Sequence, residues 1–316
     1  MNKIAPAIGF LILSLIVLAV YGLGTFEAWT LQPVAGIVLA VITLGLVYKI
    51  ASLARDLGKV QVGDVFSQKN LLNFVAVIGG LVVTFFLNQT VGLGAVVAAG
   101  LVEVLAALFL PQYGAPIAAG AFAGMASTKL LYGLGAEALA AVVAGAVYVL
   151  ATGVFDGFGG KLGTIGVSGC IFAGICTAGV FTSPAVPGWN VGWMIVVVSI
   201  VAAVVTYIIN HQFKHGAVMA SGIVGVVAGL LLPALIPEIG GTLAVMAICA
   251  SFVGMSSNKH FPTALPLAVA GLFLALIYIY SSPYLGGAGG KLGTMAFGSA
   301  LAVKGFMDLL QRRKSA

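Results

Sequence analysis

The chain has 316 residues, 61% of them hydrophobic and only 7% charged, with a mean hydropathy of +1.18 and a net charge of +6. A soluble domain carries about 25% charged residues, so a water-covered surface of this length is excluded, and with it a soluble enzyme, a nucleic-acid binder or a disordered chain. The composition is that of an all-α, polytopic integral membrane protein. Its 44 glycines are about twice the usual share, as close helix packing in lipid requires.

Apolar segments fall near 4–23, 32–50, 70–88, 94–111, 115–128, 136–154, 162–182, 190–210, 215–236, 241–257, 263–282 and 294–310. They predict about twelve transmembrane segments with short connections and one substantial polar loop, 51–69. The first run is long enough to span and lacks a small-x-small cleavage site, so it predicts a helix rather than a signal peptide. Segment 115–128 is too short to cross comfortably and reads as a half-helix or one extended towards Leu131. Cys170, Cys176 and Cys249 have neither metal-ligand spacing nor a disulfide framework. No cofactor and no metal site is expected.

Lys and Arg mark cytoplasmic loops. Twelve spans with both termini cytoplasmic put Lys3, Lys49, Arg55, Lys59, Lys69, Lys161, Lys214, Lys259, Arg312, Arg313 and Lys314 inside and leave Lys129 and Lys291 outside. Lys304 lies within the last helix and could snorkel. If 115–128 and 241–257 only dip into the membrane, Lys161, Lys214 and Lys291 face outwards instead. The expected location is a bacterial or archaeal cytoplasmic membrane.

The strongest signal is a duplication. Residues 82–111 align with 204–233 at an offset of 122, including Thr84 with Thr206, Asn88 with Asn210 and Pro111 with Pro233. The offset then becomes 130. Phe122 to Lys129 pairs with Phe252 to Lys259, and Gly159-Gly160-Lys161-Leu162-Gly163-Thr164 recurs as Gly289-Gly290-Lys291-Leu292-Gly293-Thr294. The predicted organisation is an N-terminal helix pair with its loop (1–69), repeat one (70–182) and repeat two (190–316). Five segments per copy invert the second copy relative to the first, a plan common among transporters. Four spans per copy would make the repeats parallel.

The glycine-lysine motif is not a nucleotide loop, because Phe155 and Leu285 stand where such a loop needs glycine, and Leu162 and Leu292 where it needs Ser or Thr. Instead it predicts the start of a helix, with Gly160 and Gly290 at the turn, Thr164 and Thr294 in the first turn, and Lys161 and Lys291 beside free N–H groups. That combination binds anions. The plain alternative is an interfacial turn whose lysine meets lipid headgroups. Ser127 and Ser257, followed by Lys129 and Lys259, read as the ends of broken helices lining a cavity, or as ordinary capped ends with a snorkelling lysine. If the four lysines converge, the lumen is positive and draws anions.

Glu103 lies in mid-segment opposite Gly225 of the other copy. A carboxyl there is a candidate for coupling to a proton or cation, or else pairs with a polar group. Thr84, Thr206, Asn88 and Asn210 predict hydrogen bonds between helices. His211 and His215 read as solvated loop residues.

The sequence therefore predicts a transporter or facilitator for a small, anionic solute bound between inverted repeats. A passive channel of the same architecture and a membrane subunit of a larger assembly are the alternatives. An enzyme is not expected. The lipid bilayer, the solute and a second copy of the chain are the expected partners, and nucleic acid is not.

Overall fold

A computed structural model describes residues 4–60 and 63–315; Lys3 and the side chains of Arg313 and Lys314 lie outside what it describes. The described residues form no strand. Their only β pairing is an isolated bridge between Thr182 and Gly286.

Twelve α-helices follow in order: α1 (Ile4–Leu31), α2 (Pro33–Asp56), α3 (Gln68–Phe85), α4 (Ala95–Phe109), α5 (Gly114–Gly124), α6 (Gly133–Leu150), α7 (Lys161–Cys176), α8 (Trp189–Tyr207), α9 (Ala217–Leu235), α10 (Gly240–Gly254), α11 (Leu265–Tyr280) and α12 (Lys291–Ser315). Six are long and apolar enough to cross a membrane: α1, α2, α3, α6, α8 and α9, with α2, α3 and α8 counted together with the short turns that extend them. The described residues thus support a helical membrane protein with six candidate spans, not about twelve crossing segments. α5, with 11 residues, spans about 16 Å at 1.5 Å per residue, roughly half the hydrocarbon thickness. It is a half-helix and stops at Gly124.

Helix ends follow local chemistry. Pro33 opens α2, where its missing N–H is no loss. Ser67 caps α3 by accepting a hydrogen bond from the Asn70 N–H at 3.3 Å. Gly94 and Gly216, the residues before α4 and α9, hold φ of +77° and +83°, a backbone region that favours glycine. Two boundaries differ from the sequence reading. α1 and α2 run on into stretches assigned to connections, because nothing breaks them before Gln32 and Leu57. Segment 162–182 is helical only to Cys176, and residues 177–188 form an irregular strap.

The same succession of elements runs through 68–176 and 189–315. In each, a long helix ends in a π-turn, Phe86–Thr90 or Ile208–Gln212, before the next helix begins. Small residues let these helices touch backbone to backbone. α3 lies along α5 at Gly80 and Gly124, and α4 crosses α9 at Gly100 and Gly222. The outward faces carry Leu11, Leu15, Val41, Leu44, Val197 and Val201, all exposed. Large aliphatic side chains facing outwards suit lipid rather than water.

α1 and α2 clamp α12. Tyr21 donates to the Met295 carbonyl at 2.9 Å, and Lys49 pairs with Asp308 at 2.7 Å. Lys304 also pairs with Asp308, at 2.8 Å, so it is held by an acid on its own helix rather than snorkelling. One end of the bundle gathers Lys49, Phe158, His260 and residues 63–67. At the other end Gln32 accepts from Trp189 and Tyr280, and Glu27 accepts from Tyr284.

Candidate functional site

Two equivalent contacts form the centre, and each joins one half of the chain to the other. At the first junction, residues after α10 meet those before α7. The Ser257 N–H donates to the Gly157 carbonyl at 2.8 Å, and the Gly159 N–H donates to the Ser256 hydroxyl at 3.0 Å. At the second, residues after α5 meet those before α12, and the Ser127 N–H donates to the Gly287 carbonyl at 2.9 Å. The end of each broken helix is therefore pinned to the start of a helix in the other half. Sequence comparison of the two halves could find both motifs but not that they exchange partners.

The backbone is constrained alike at both places. Gly157 and Gly287 have φ of +81° and +82°, and Gly160 and Gly290 have +83° and +85°. Phe155 and Leu285 hold φ of +53° and +52°, a strained region for side chains of this size. Between the junctions α7 crosses α12 glycine on glycine. A Cβ added at Gly163 would sit 2.6 Å from the Gly293 Cα, and the reverse holds equally. The Phe122 and Phe252 rings meet beside it, centroids 4.2 Å apart.

The π-turns supply matched caps for the broken helices. Asn88 donates to the Gly124 carbonyl at 3.4 Å and Asn210 to the Gly254 carbonyl at 3.3 Å. Gln89 donates to the Ala126 carbonyl at 3.0 Å, and His211 Nε2 lies 2.8 Å from the Ser256 carbonyl. The asparagines do bridge helices, as expected. Thr206 instead bonds the Ala202 carbonyl of its own helix, and the buried Thr84 hydroxyl has no partner. His211, read from sequence as a solvated loop residue, is a capping group; its alignment with Gln89 at the 122 offset was the available signal.

The junctions differ in access. A cavity of about 770 Å³ opens at the end of the bundle bearing residues 63–67 and reaches the first junction at Gly159, Gly160 and Lys161. Asn70, Asn73, Tyr148 and Thr152 line its wall. Lys161 faces it with a side chain only 13% exposed and pairs at 2.8 Å with Asp156, whose side chain is 67% exposed. The second junction is covered. Thr182 of the strap exchanges two backbone hydrogen bonds with Gly286, at 2.8 and 3.1 Å, and Val180 bonds the Lys129 carbonyl. Lys291 is turned onto the Ser281 and Ser282 carbonyls at 2.9 and 3.2 Å.

Of the four lysines only Lys161 lines the cavity, while Lys129 and Lys259 are exposed. The wall carries two lysines, Lys69 and Lys161, and two aspartates, Asp64 and Asp156. The four lysines do not converge on this cavity, which was the condition for a positive lumen, and its wall carries as many acids as lysines. Asp156 sits where the other half has Gly286, which is why recurrence did not reveal it. Thr164 bonds back to the Gly160 carbonyl, whereas the buried hydroxyls of Thr294 and Ser127 have no hydrogen-bond partner. Ser257 accepts from the Lys259 N–H.

Glu103 lies apart from the cavity wall, fully buried where α4 crosses α9. Its Oε2 is 3.2 Å from the Ser221 hydroxyl, which is 2.9 Å from the Ser251 hydroxyl. Among the described residues no group of three or more His, Cys, Asp or Glu could hold a metal ion. Compared with known proteins, the chain matches no protein-family model, no curated protein and no solved structure.

Proposed function

We propose that this protein is a transporter or facilitator for a small solute with an anionic group, bound at the inner end of the cavity. The observation that carries this reading is the meeting of three features at one point: the cavity, the N-terminus of α7 and Lys161. First-turn N–H groups lack partners within their own helix, and the helix dipole adds positive potential there. Lys161 is held in place, but its partner is not. Asp156 is mostly in water while Lys161 is not, so an arriving carboxylate or phosphate can take the place of the Asp156 carboxylate on the lysine, and the displaced acid is left in solvent. The amides of Asn70 and Asn73 and the hydroxyls of Tyr148 and Thr152 supply neutral contacts for the rest of the solute.

The two halves are read as inverted repeats of five helices. α8 starts beside Gln32 at the start of α2, whereas α3 starts after the loop that follows the end of α2. Opposite starting points favour inversion, and the matched junctions then become the two gates of one path. Because backbones touch at Gly163 and Gly293, a continuous pore is disfavoured and gates that open in turn are favoured. The ion pair Lys49–Asp308 brings the ends of α2 and α12 together, and the basic residues there favour a cytoplasmic face.

Proteoliposomes test this reading. Labelled acetate, lactate, phosphate, sulfate and chloride are offered as probes to wild type and to K161M. At least one probe should enter wild-type vesicles in a saturable manner and enter K161M vesicles roughly tenfold more slowly, the loss expected for a charge-assisted contact. Equal uptake in both sinks the anion site.

A further inference from the structure

Glu103 is the one acid buried in the middle of the bundle among the described residues, and its surroundings fix where a proton must be. Three contacts run in a line: Glu103 Oε2 to Ser221 Oγ at 3.2 Å, Ser221 Oγ to Ser251 Oγ at 2.9 Å, and Ser251 Oγ to the Ile248 carbonyl at 2.7 Å. Three hydrogen bonds need three protons. The two serine hydroxyls supply two, and the Ile248 carbonyl supplies none. With Glu103 ionised one contact has no hydrogen in it. With Glu103 protonated the line is complete: its O–H donates to Ser221, Ser221 to Ser251, and Ser251 to the carbonyl.

The rest of the environment agrees. The second oxygen, Oε1, is buried without a partner, which a neutral carbonyl oxygen tolerates far better than a carboxylate oxygen does. No cation balances it. Of the elements packed on α4, the helices α5 and α9 and the π-turn 86–90 carry no titratable side chain. α3 offers only Lys69, at its first turn, α10 only Cys249, and the turn 111–113 only Tyr113. None of these bonds the carboxyl. Ser221 and Ser251 each stand four residues, about one helical turn, from a residue of the cavity wall, Ala217 at the start of α9 and Met255 just after α10. The line thus leads from the acid to just behind the wall of the proposed solute site.

We propose that Glu103 is a proton-carrying site: it holds a proton in the conformation described here and releases it when movement of α9 and α10 admits water from the cavity. Solute movement is thereby coupled to a proton. The copy-related positions are Gly225 for Glu103, Ala99 for Ser221 and Ala121 for Ser251, so a single such site serves both halves. The coupling rests on the transport reading above, whereas the protonation does not.

Two measurements separate them. Infrared spectra of the full protein in lipid nanodiscs at neutral pH should show a protonated-carboxyl stretching band that is lost in E103Q. The band should shift in S221A, which removes the acceptor of the carboxyl proton. Gln keeps the shape and the donor of a protonated Glu, so E103Q completes the line and folds. Wild-type and E103Q spectra that coincide in this region would overturn the proposal.

The second measurement uses vesicles loaded with a pH-sensitive dye and whichever anion probe enters wild type. Its entry should change the lumenal pH in wild type, and E103Q should still exchange the probe while the pH change is lost. A pH change that persists in E103Q overturns the coupling. If no probe enters any variant, the transport reading fails and the infrared result still decides protonation.

Discussion

The two junctions share their glycine-lysine motifs, their positive-φ turns and a serine N–H to glycine carbonyl bond between the two halves, yet one faces a cavity and the other lies under a strap. What differs is small. Asp156 stands opposite Gly286, Ser256, whose hydroxyl accepts from the Gly159 N–H, stands opposite Ala126, and the strap 177–188 seats Thr182 on the second junction only. At the open junction the lysine is held by a side chain in water, and at the covered one by main-chain carbonyls. On the proposed transport reading, nearly equal backbones with unequal covers would let one site be presented to two sides in turn. A pair of gates with identical surroundings would have no reason to favour either state.

The largest effect should come from breaking what the junctions share. Gly163→Leu or Gly293→Leu forces a side chain into a backbone 2.6 Å away, and overpacking of this kind costs about 1–3 kcal/mol or more. Thermal melting in detergent should fall by several degrees for either. The double variant should fall by less than the sum, since the two positions press on each other. Wild-type melting for both would mean that the helices do not touch there.

The next effect sharpens the difference. K161M should lower probe affinity roughly tenfold, whereas K291M, which loses only contacts to carbonyls of its own chain, should leave affinity within about twofold. Equal losses would make the junctions functionally alike in this state. D156N should act in the opposite sense, raising affinity by about twofold to fivefold, because the solute no longer competes with an exposed carboxylate for Lys161. The smallest effects test likeness again. N88A and N210A each remove one capping bond to a helix-end carbonyl, so each should cost about 0.5–1.5 kcal/mol, and by nearly the same amount. A large cost for one alone would break the equivalence of the caps.

Much of this was legible in the sequence in kind, though not in arrangement. The recurrence of Ser127 with Ser257 and of Gly160-Lys161 with Gly290-Lys291 picked out residues that lie at the two contacts. It left open that each motif meets the other copy's partner, because pairing across a fold is not encoded in an offset. Asp156, Ser221, Ser251 and the strap are not legible for a common reason: none of them recurs in the other half. Helix lengths were misjudged where polar residues such as Glu27 and Arg55 looked like loop while the backbone simply continued. Tyr148 and Tyr278, related by the 130 offset, are a recurring pair of which Tyr148 lines the cavity.

The central claim is that the first junction is open and the second closed, and that a solute exchanges them. Thr152 and Ser282 occupy equivalent positions, and only Thr152 lines the cavity. In a C176S background, which removes the one exposed native thiol, Thr152→Cys and Ser282→Cys can be labelled with a membrane-impermeant maleimide added to each side of sealed vesicles. Thr152→Cys should react quickly from the side of residues 63–67 and Ser282→Cys hardly at all. A transported anion should slow the first and speed the second from the opposite side. Equal rates at both positions, or rates indifferent to every anion that the vesicles take up, would contradict the account.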